Sequence, residues 1–271
     1  MKEISIKSDI ELRGDNVRKY FAFFNMISNV KGDLLLNFSK VSRKNEIPNS
    51  YKMLISAFIE KNKLNLRVTG LSVEDSRFEA VHPRKIDNWG DDWNFSEIQP
   101  HVISGIMQGL KRIGININNP RFSEKYERAE ALLTEIVANA TEHGIQSRNI
   151  NYWITCDVDT KNKVAHFAFV DLGIGIAGSH REAGIGLWGF LKSDCRVVKD
   201  SFEGLIPSST KNPDRGKGLP EIYRIVKNGY VDDFIVVSNR AAMIYNESIG
   251  LQTLSISNFH GTYYKWTVKN N

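Results

Sequence analysis

An apolar helical segment with a regularly spaced polar stripe places the strongest constraint on how this chain folds. In EALLTEIVANATEHG, residues 130–144, apolar side chains recur with the period of an α-helix. Glu135, Asn139 and His143 are spaced four residues apart, and a step of four advances about 400° around a helix, so they form one stripe. Burying such groups without partners is costly. The stripe therefore faces solvent, as on an ordinary amphipathic helix, or a ligand that needs carboxylate and amide oxygens.

The composition is that of an ordinary globular protein. Of 271 residues, 41% are hydrophobic and 25% charged, which is enough for one large or two ordinary domains. No apolar run approaches the roughly 20 residues of a membrane span, and the start of the chain lacks a signal-peptide core, so we expect a cytoplasmic protein without a membrane partner. Cys156 and Cys195 lack metal-type spacing and are expected to be reduced thiols. The net charge of +5 is scattered, which favours anionic ligands such as nucleotides over nucleic acid.

Alternating strand and helix patterns organise the first third of the chain. EISIKSDIEL, DLLLNFSKV and LNLRVTGL are typical of strands, and the segments between them, NVRKYFAFFNMISNV and SYKMLISAFIEKNK, are typical of helices. This βαβαβ order predicts a small α/β domain with parallel pairing. The periodicity is lost in residues 83–100, so we expect a domain 1–90 and a second domain 101–271.

The rest of the chain predicts an α+β sandwich. A helix at HVISGIMQGLKRIGI and a long helix from about residue 123 to 143 precede two strands joined by a turn at 160–162. A Gly- and Ser-rich stretch from 173 to 217 follows, then the helix PEIYRIVKNG and the strands DFIVVSNRAAMIYN, LQTLSISN and GTYYKWTVK. Helices over an antiparallel or mixed sheet account for this order.

Three glycine-containing motifs accompany the polar helix. Asp171 ends a predicted strand and is followed by Gly173 and Gly175, which permits close approach of the backbone to a ligand. A second glycine group immediately precedes a predicted helix, whose free N–H groups suit phosphates. It comprises Gly216, Lys217 and Gly218. Its spacing is neither that of a Walker A loop nor that of a dinucleotide fingerprint. Gly261 and Thr262 begin the last predicted strand.

Taken in order, the motifs ExxxNAxxHG, DxGxG, GKGL and GT resemble those of the GHKL nucleotide-binding superfamily. This superfamily comprises gyrase-type topoisomerases, a heat-shock chaperone, histidine kinases and mismatch-repair ATPases. Within it, TEIVANATEHG is most similar to the anti-sigma-factor serine kinases. The resemblance covers roughly residues 105–270. It implies a two-layer α/β sandwich that has a mixed sheet, helices on one face and a long ATP lid at about 176–215.

The resemblance implies a role for each matching residue. Asn139 would hold a Mg²⁺ ion that bridges the phosphates of ATP, since a neutral oxygen ligand suits a hard cation. Asp171 would accept the adenine amino group, with Thr262 in support, and Glu135 would be the catalytic base that activates water or a hydroxyl group. The implied ATP-binding positions are Asn139, Asp171, Gly173, Gly175, Gly216, Lys217, Gly218 and Thr262.

Two functions stay open from the sequence. The first is an enzyme that hydrolyses ATP or phosphorylates a protein Ser/Thr in a bacterial-type regulatory role, which implies a regulatory protein partner and leaves a homodimer open. The alternative is a non-catalytic switch in which ATP gates the binding of a partner protein. His143 is either a phosphate ligand or an ordinary histidine near a helix end. Lys217 is either a phosphate ligand or a solvated lysine.

The N-terminal part loosely resembles STAS-type domains, which partner anti-sigma kinases. The resemblance rests on DLLLNFSKVSRKNEIPNSYKMLISAFI, in which Pro48, Asn49 and Ser50 replace the usual Asp-Ser pair. It implies a regulatory role for domain 1–90, with Ser50 near the phosphoacceptor position. Because the Asp is missing, the favoured interpretation is that Asn49 or Ser50 caps the following helix.

Overall fold

Two β-sheets, with helices between and beside them, make up the fold. The computed structural model describes residues 2–6, 11–41, 47–69, 83–84, 95–144, 152–183, 192–206, 217–248 and 250–270. Helices and strands alternate along these residues, as expected for the predicted class of mixed α and β structure. None of the described helices combines the length and the apolar character that crossing a bilayer requires.

The first sheet is the predicted parallel βαβαβ unit. Its strands are β1 (Lys2–Ser5), β2 (Asp33–Asn37) and β3 (Asn65–Thr69), paired in that order. Helices α1 (Val17–Ser28) and α2 (Asn49–Asn62) connect them, since parallel strands need a crossover. The apolar residues of α1 recur every three or four positions and form one buried face: Val17, Tyr20, Phe21, Phe24 and Ile27.

The second sheet is antiparallel at every described pair of strands, whereas the sequence predicts a mixed sheet. Its order is β4-β5-β6-β8-β7. The strands are β4 (Pro83–Arg84), β5 (Tyr152–Asp159), β6 (Val164–Asp171), β7 (Asp232–Asn246) and β8 (Gly250–Lys269). Short connections explain the antiparallel pairing, because the predicted turn near 160–162 joins β5 to β6 and a tight hairpin joins β7 to β8. LQTLSISN and GTYYKWTVK, predicted as two strands, form the single strand β8.

In the described part of the chain, five helices accompany the second sheet. They are α3 (Phe95–Arg112), α4 (Ser123–Gly144), α5 (Gly175–Glu182), α6 (Asp194–Phe202) and α7 (Gly218–Lys227). Helices α3, α4 and α7 pack on one face, where their apolar side chains share a core with Phe167 and Phe169 of β6. Helices α5 and α6 fall within the predicted lid, and the buried Val197 and Phe202 anchor α6 in the fold. The described residues 176–183 and 192–206 of the predicted lid are therefore mostly helical.

Helices cover both faces of the second sheet, because α1 and α2 of the predicted N-terminal domain add a layer on the face opposite the helices of residues 101–271. Helices α1 and α2 pack on the face opposite α4 and share a second core with Ala168 and Val170 of β6. The ring of Phe21 meets those of Phe259 and Tyr263 edge-on, with centroids 5.1 and 5.4 Å apart. The layers therefore run from the parallel sheet through α1 and α2 to the antiparallel sheet and then to α3, α4 and α7.

The start of α2 shows that the predicted side-chain cap is wrong. Pro48 occupies the N-cap position, and no side chain makes a capping hydrogen bond there. The Asn49 amide instead donates to a carboxylate oxygen of Asp157 on β5. Ser50 is half-buried and faces Tyr263 of β8. Both side chains therefore contact the sheet instead of the helix end. The local sequence does not encode these contacts.

Candidate functional site

A cleft of about 60 Å³ lies where α4 meets the end of β6 and the middle of β8. This volume is below the roughly 300–1,000 Å³ typical of small-molecule sites, so the cleft as it stands holds only part of a ligand of that size. Five of the predicted ATP-binding positions line it: Asn139, Asp171, Gly173, Gly175 and Thr262. Apolar side chains supply much of the remaining wall, namely Ile136, Ile174, Ile176, Leu219 and Tyr264. The fold thus brings residues from four separated segments to one concave surface.

Asp171 forms the buried acceptor at one end of the cleft. Strand alternation places it on the same face as Phe167 and Phe169, towards α4. Its Oδ1 accepts a hydrogen bond from the Gly173 backbone N–H at 3.0 Å, and Thr262, its register partner on β8, donates to the carboxylate as well. Burial raises the pKa of Asp171 to about 6, although these hydrogen bonds act in the opposite direction. Such a carboxylate, held in an apolar cavity, suits a ligand that presents an amino group.

Glu135 and Asn139 form a polar surface at the start of α7. One atom of the Asn139 amide, placed as Nδ2, is buried and makes no hydrogen bond to any described residue. A Cβ on Gly218, the first residue of α7, would lie 2.7 Å from Oε2 of Glu135 and 3.3 Å from Oδ1 of Asn139. Glycine therefore lets the positive end of α7 approach both side chains closely.

This donor set fits a magnesium ion carried in with phosphates better than a metal caged by protein. The described residues contain no group of three or more His, Cys, Asp or Glu that could hold a metal ion. Magnesium commonly binds through one or two protein oxygens, with phosphate oxygens and water completing the shell. The Oδ1 oxygen of Asn139 is suited to such a contact, whereas its buried Nδ2 without a partner is a donor that suits an acceptor such as a phosphate oxygen.

Ser238 and Asn239 of β7 hold the turn between Asp171 and α5, and the sequence motifs did not reveal them. The Ser238 hydroxyl accepts from the Ile176 N–H at 2.8 Å and lies 3.1 Å from the Gly261 carbonyl. Asn239 donates to the Ile174 carbonyl at 2.8 Å, and its Oδ1 accepts from the N–H groups of Ala177 and Gly178. The bonds to residues 174–178 join positions more than 60 residues apart, so no local sequence pattern predicts them.

We expect Asn239→Ala to destabilise the protein by about 2–4 kcal/mol, because three hydrogen bonds are lost at a nearly buried site and φ of 54° is unfavourable for Ala. The matched change Asn239→Asp keeps the acceptor at the start of α5 and loses only the donor, so it should cost about 1 kcal/mol. Urea unfolding measures both. Equal losses in the two variants would contradict a capping role for the Asn239 oxygen.

His180 lines the cleft, and Ser201 of α6 holds its ring in place. Its Nε2 lies 2.9 Å from the Ser201 hydroxyl, which donates to the Val197 carbonyl at 2.7 Å. Because the hydroxyl proton is engaged with Val197, His180 donates through Nε2. The pair therefore anchors α5 to α6 and does not form an activated nucleophile.

The remaining predicted positions lie outside the cleft or outside the described residues. Lys217 is exposed immediately before α7, and Gly216 is not among the described residues. His143 belongs to α4, but its side chain is not described. Cys156 and Cys195 are free thiols, as predicted, and burial raises the pKa of Cys156 to about 12, which keeps it protonated.

Comparison with protein-family models finds no matching family, and comparison with curated proteins finds no significant relative.

Proposed function

We propose that the chain binds ATP with Mg²⁺ in this cleft and transfers the γ-phosphoryl group to water or to a protein Ser/Thr, in a regulatory role. One observation carries the proposal. A buried carboxylate, Asp171, and the amide of Asn139 line one cleft, and the positive end of α7 adjoins both Asn139 and the Glu135 carboxylate. The GHKL-type motifs at the same positions support it.

Each group has a separate task in this proposal. Asp171 and Thr262 accept hydrogen bonds from the adenine amino group, and the apolar side chains around Tyr264 contact the adenine ring. The backbone at Gly218 and the dipole of α7 attract phosphate. Asn139 would hold Mg²⁺ together with phosphate oxygens and water, and the ion would neutralise phosphate charge.

Glu135 supplies the acid–base chemistry of the transfer. The oxygen of water or of a Ser/Thr hydroxyl attacks the γ-phosphorus, the bond from that phosphorus to the bridging oxygen breaks, and ADP leaves. The proton of the attacking hydroxyl passes to the Glu135 carboxylate. This requires Glu135 to be ionised and within hydrogen-bond reach of the hydroxyl.

We expect Glu135→Gln to bind ATP–Mg²⁺ as wild type does and to lose turnover by about 10²–10⁴-fold, the usual contribution of a positioned base. Calorimetry measures binding, and γ-labelled ATP measures release of phosphate and labelling of protein. Glu127→Gln is the matched control, because Glu127 is an exposed carboxylate on the same helix.

The outcomes separate the candidate functions. Absence of ATP binding in the wild-type protein would refute the proposal. Binding without turnover, unchanged in Glu135→Gln, would favour the ATP-gated switch that binds a partner protein. Equal turnover in Glu135→Gln and Glu127→Gln would remove Glu135 from catalysis.

A further inference from the structure

A lysine of the N-terminal unit, which comprises the parallel sheet with α1 and α2, contacts the turn at the candidate adenine end of the cleft. It does so from the face of the antiparallel sheet opposite α4. Lys61 lies in the last turn of α2, on the face of the sheet opposite α4. Its Nζ donates a hydrogen bond of 2.9 Å to the Leu172 carbonyl, 111 residues along the chain. Leu172 directly follows Asp171 and begins the turn that continues to Gly173.

This contact gives a carbonyl of the turn a hydrogen-bond donor. Beyond the end of β6, the Leu172 carbonyl is no longer part of the strand, so it needs another donor. The Leu172 side chain packs against the same core as α1 and α2. Lys61 and this packing therefore secure the turn on the face opposite the cleft, while Ser238 and Asn239 secure it from β7.

The charge of Lys61 also acts on Asp171. Partial burial lowers the pKa of Lys61, and the nearby Asp171 carboxylate acts in the opposite direction. In return, Lys61 opposes the rise in the pKa of Asp171 that burial causes. Among the described residues that line the cleft, the other titratable groups are Tyr264 on β8 and His180 on α5. Burial and Asp171 raise the pKa of Tyr264, so it is neutral.

We infer that Lys61 is a positioning residue of the nucleotide site: the N-terminal unit completes the adenine end of the cleft by holding the Asp171–Gly173 turn through the hydrogen bond to the Leu172 carbonyl. The inference rests on the proposed function. It gives the N-terminal unit a direct part in ligand binding.

The test compares the full chain with Lys61→Met, Lys61→Arg and Lys63→Met. Lys63→Met is the matched control, because it removes an exposed positive charge two residues away. Binding of a nonhydrolysable ATP analogue is measured by calorimetry between pH 5.5 and 8.5, at intervals of about half a unit. The titration of the Asp171 carboxyl carbon is followed by NMR without nucleotide, and thermal unfolding monitors the fold.

We expect Lys61→Met to bind the analogue about three- to tenfold more weakly at pH 7 and to move the Asp171 midpoint upward. Lys61→Arg and Lys63→Met should resemble wild type in both measurements. Loss of binding in Lys61→Met and Lys61→Arg alike, with an unchanged Asp171 midpoint, would reduce Lys61 to a structural role and overturn the inference.

The two proposals fail in different ways. If the wild-type protein binds no adenine nucleotide, the proposed function fails, yet an upward Asp171 midpoint in Lys61→Met alone still supports positioning by Lys61. If Lys61→Met leaves both that midpoint and nucleotide binding unchanged, the inference fails while the proposed function stands.

Discussion

Replacement of Asp171 by Asn is expected to weaken ATP binding by about 10- to 100-fold, because a hydrogen bond to a charged acceptor is worth roughly 1.5–3 kcal/mol. The amide cannot accept from Gly173, Thr262 and adenine at once and adds a donor that faces the adenine amino group. Calorimetry with ATP–Mg²⁺ measures the loss. Binding at wild-type strength would refute the assignment of Asp171 to adenine.

The same change should stabilise the protein without ligand above pH 6. The folded pKa of Asp171 is about 6, above the ordinary value of 3.8, so the fold favours the protonated acid. That contribution to stability is fully present below pH 4 and is lost as pH rises through 6, where wild type carries a buried charge at a cost of up to about 3 kcal/mol. The neutral amide of the Asp171→Asn variant avoids this charge.

Thermal unfolding at several pH values tests whether the charge of Asp171 destabilises the fold. The melting temperature of Asp171→Asn should exceed that of wild type at pH 8, and the difference should close between pH 6 and 4. A variant less stable than wild type throughout this range would mean that the hydrogen bonds from Gly173 and Thr262 outweigh the cost of burying the charge. A stability gain coupled to lost binding is the pattern expected of a residue retained for a ligand.

The second large effect is expected at Gly261, where Ala should destabilise the protein by about 4 kcal/mol or more. Gly261 has φ of 115°, and a Cβ there would lie 2.0 Å from the backbone oxygen of Asp171 and 2.7 Å from the Cα of Leu172. Backbone atoms cannot relieve this overlap by a change of rotamer, as side-chain atoms can. The overlap would force β8 away from β6 at the cleft.

Gly250→Ala is the matched control for Gly261→Ala. Gly250 also has positive φ, 67°, but a Cβ there would meet no atom of the described residues within 4 Å. It should cost only the backbone strain of about 1–2 kcal/mol. Urea unfolding of both variants separates strain from steric overlap, and equal losses would contradict the close approach of Gly261 to Asp171.

Local patterns account for the elements and for part of the site. The apolar periods of α1 and β6 predicted their type, and the order of strands and helices predicted the parallel unit. The helical spacing of Glu135 and Asn139 required one shared face, which the structure bears out beside Gly218. Asp171 at the end of β6 and Thr262 within β8 are register partners, so the pairing of the two strands places them together. Their roles towards ATP stay predictions.

Long-range packing accounts for what the sequence did not predict. Ser238 and Asn239 look like ordinary strand residues until α5 docks on them, and Lys61 looks like a solvated lysine at a helix end. Helix α2 lies between two sheets, and this explains why its buried residues occupy most of its circumference: Tyr51, Met53, Leu54, Ile55, Ala57 and Phe58. Because α2 packs against the antiparallel sheet, the Asn49 side chain bonds to Asp157 instead of capping the helix.

The covered faces of the antiparallel sheet restrict the direction from which a protein substrate can arrive. Helices α1 and α2 close one face, and α3, α4 and α7 close the other. For the described part of the chain, the approach to Glu135 therefore runs past the strand ends, where β6 passes into α5 and α7 begins. In the proposed kinase reaction, a Ser or Thr on an extended segment or loop tip could enter this passage. A hydroxyl on the flat surface of a rigid domain would not reach it, so we expect a protein substrate of that reaction to present its acceptor on an extended segment or loop.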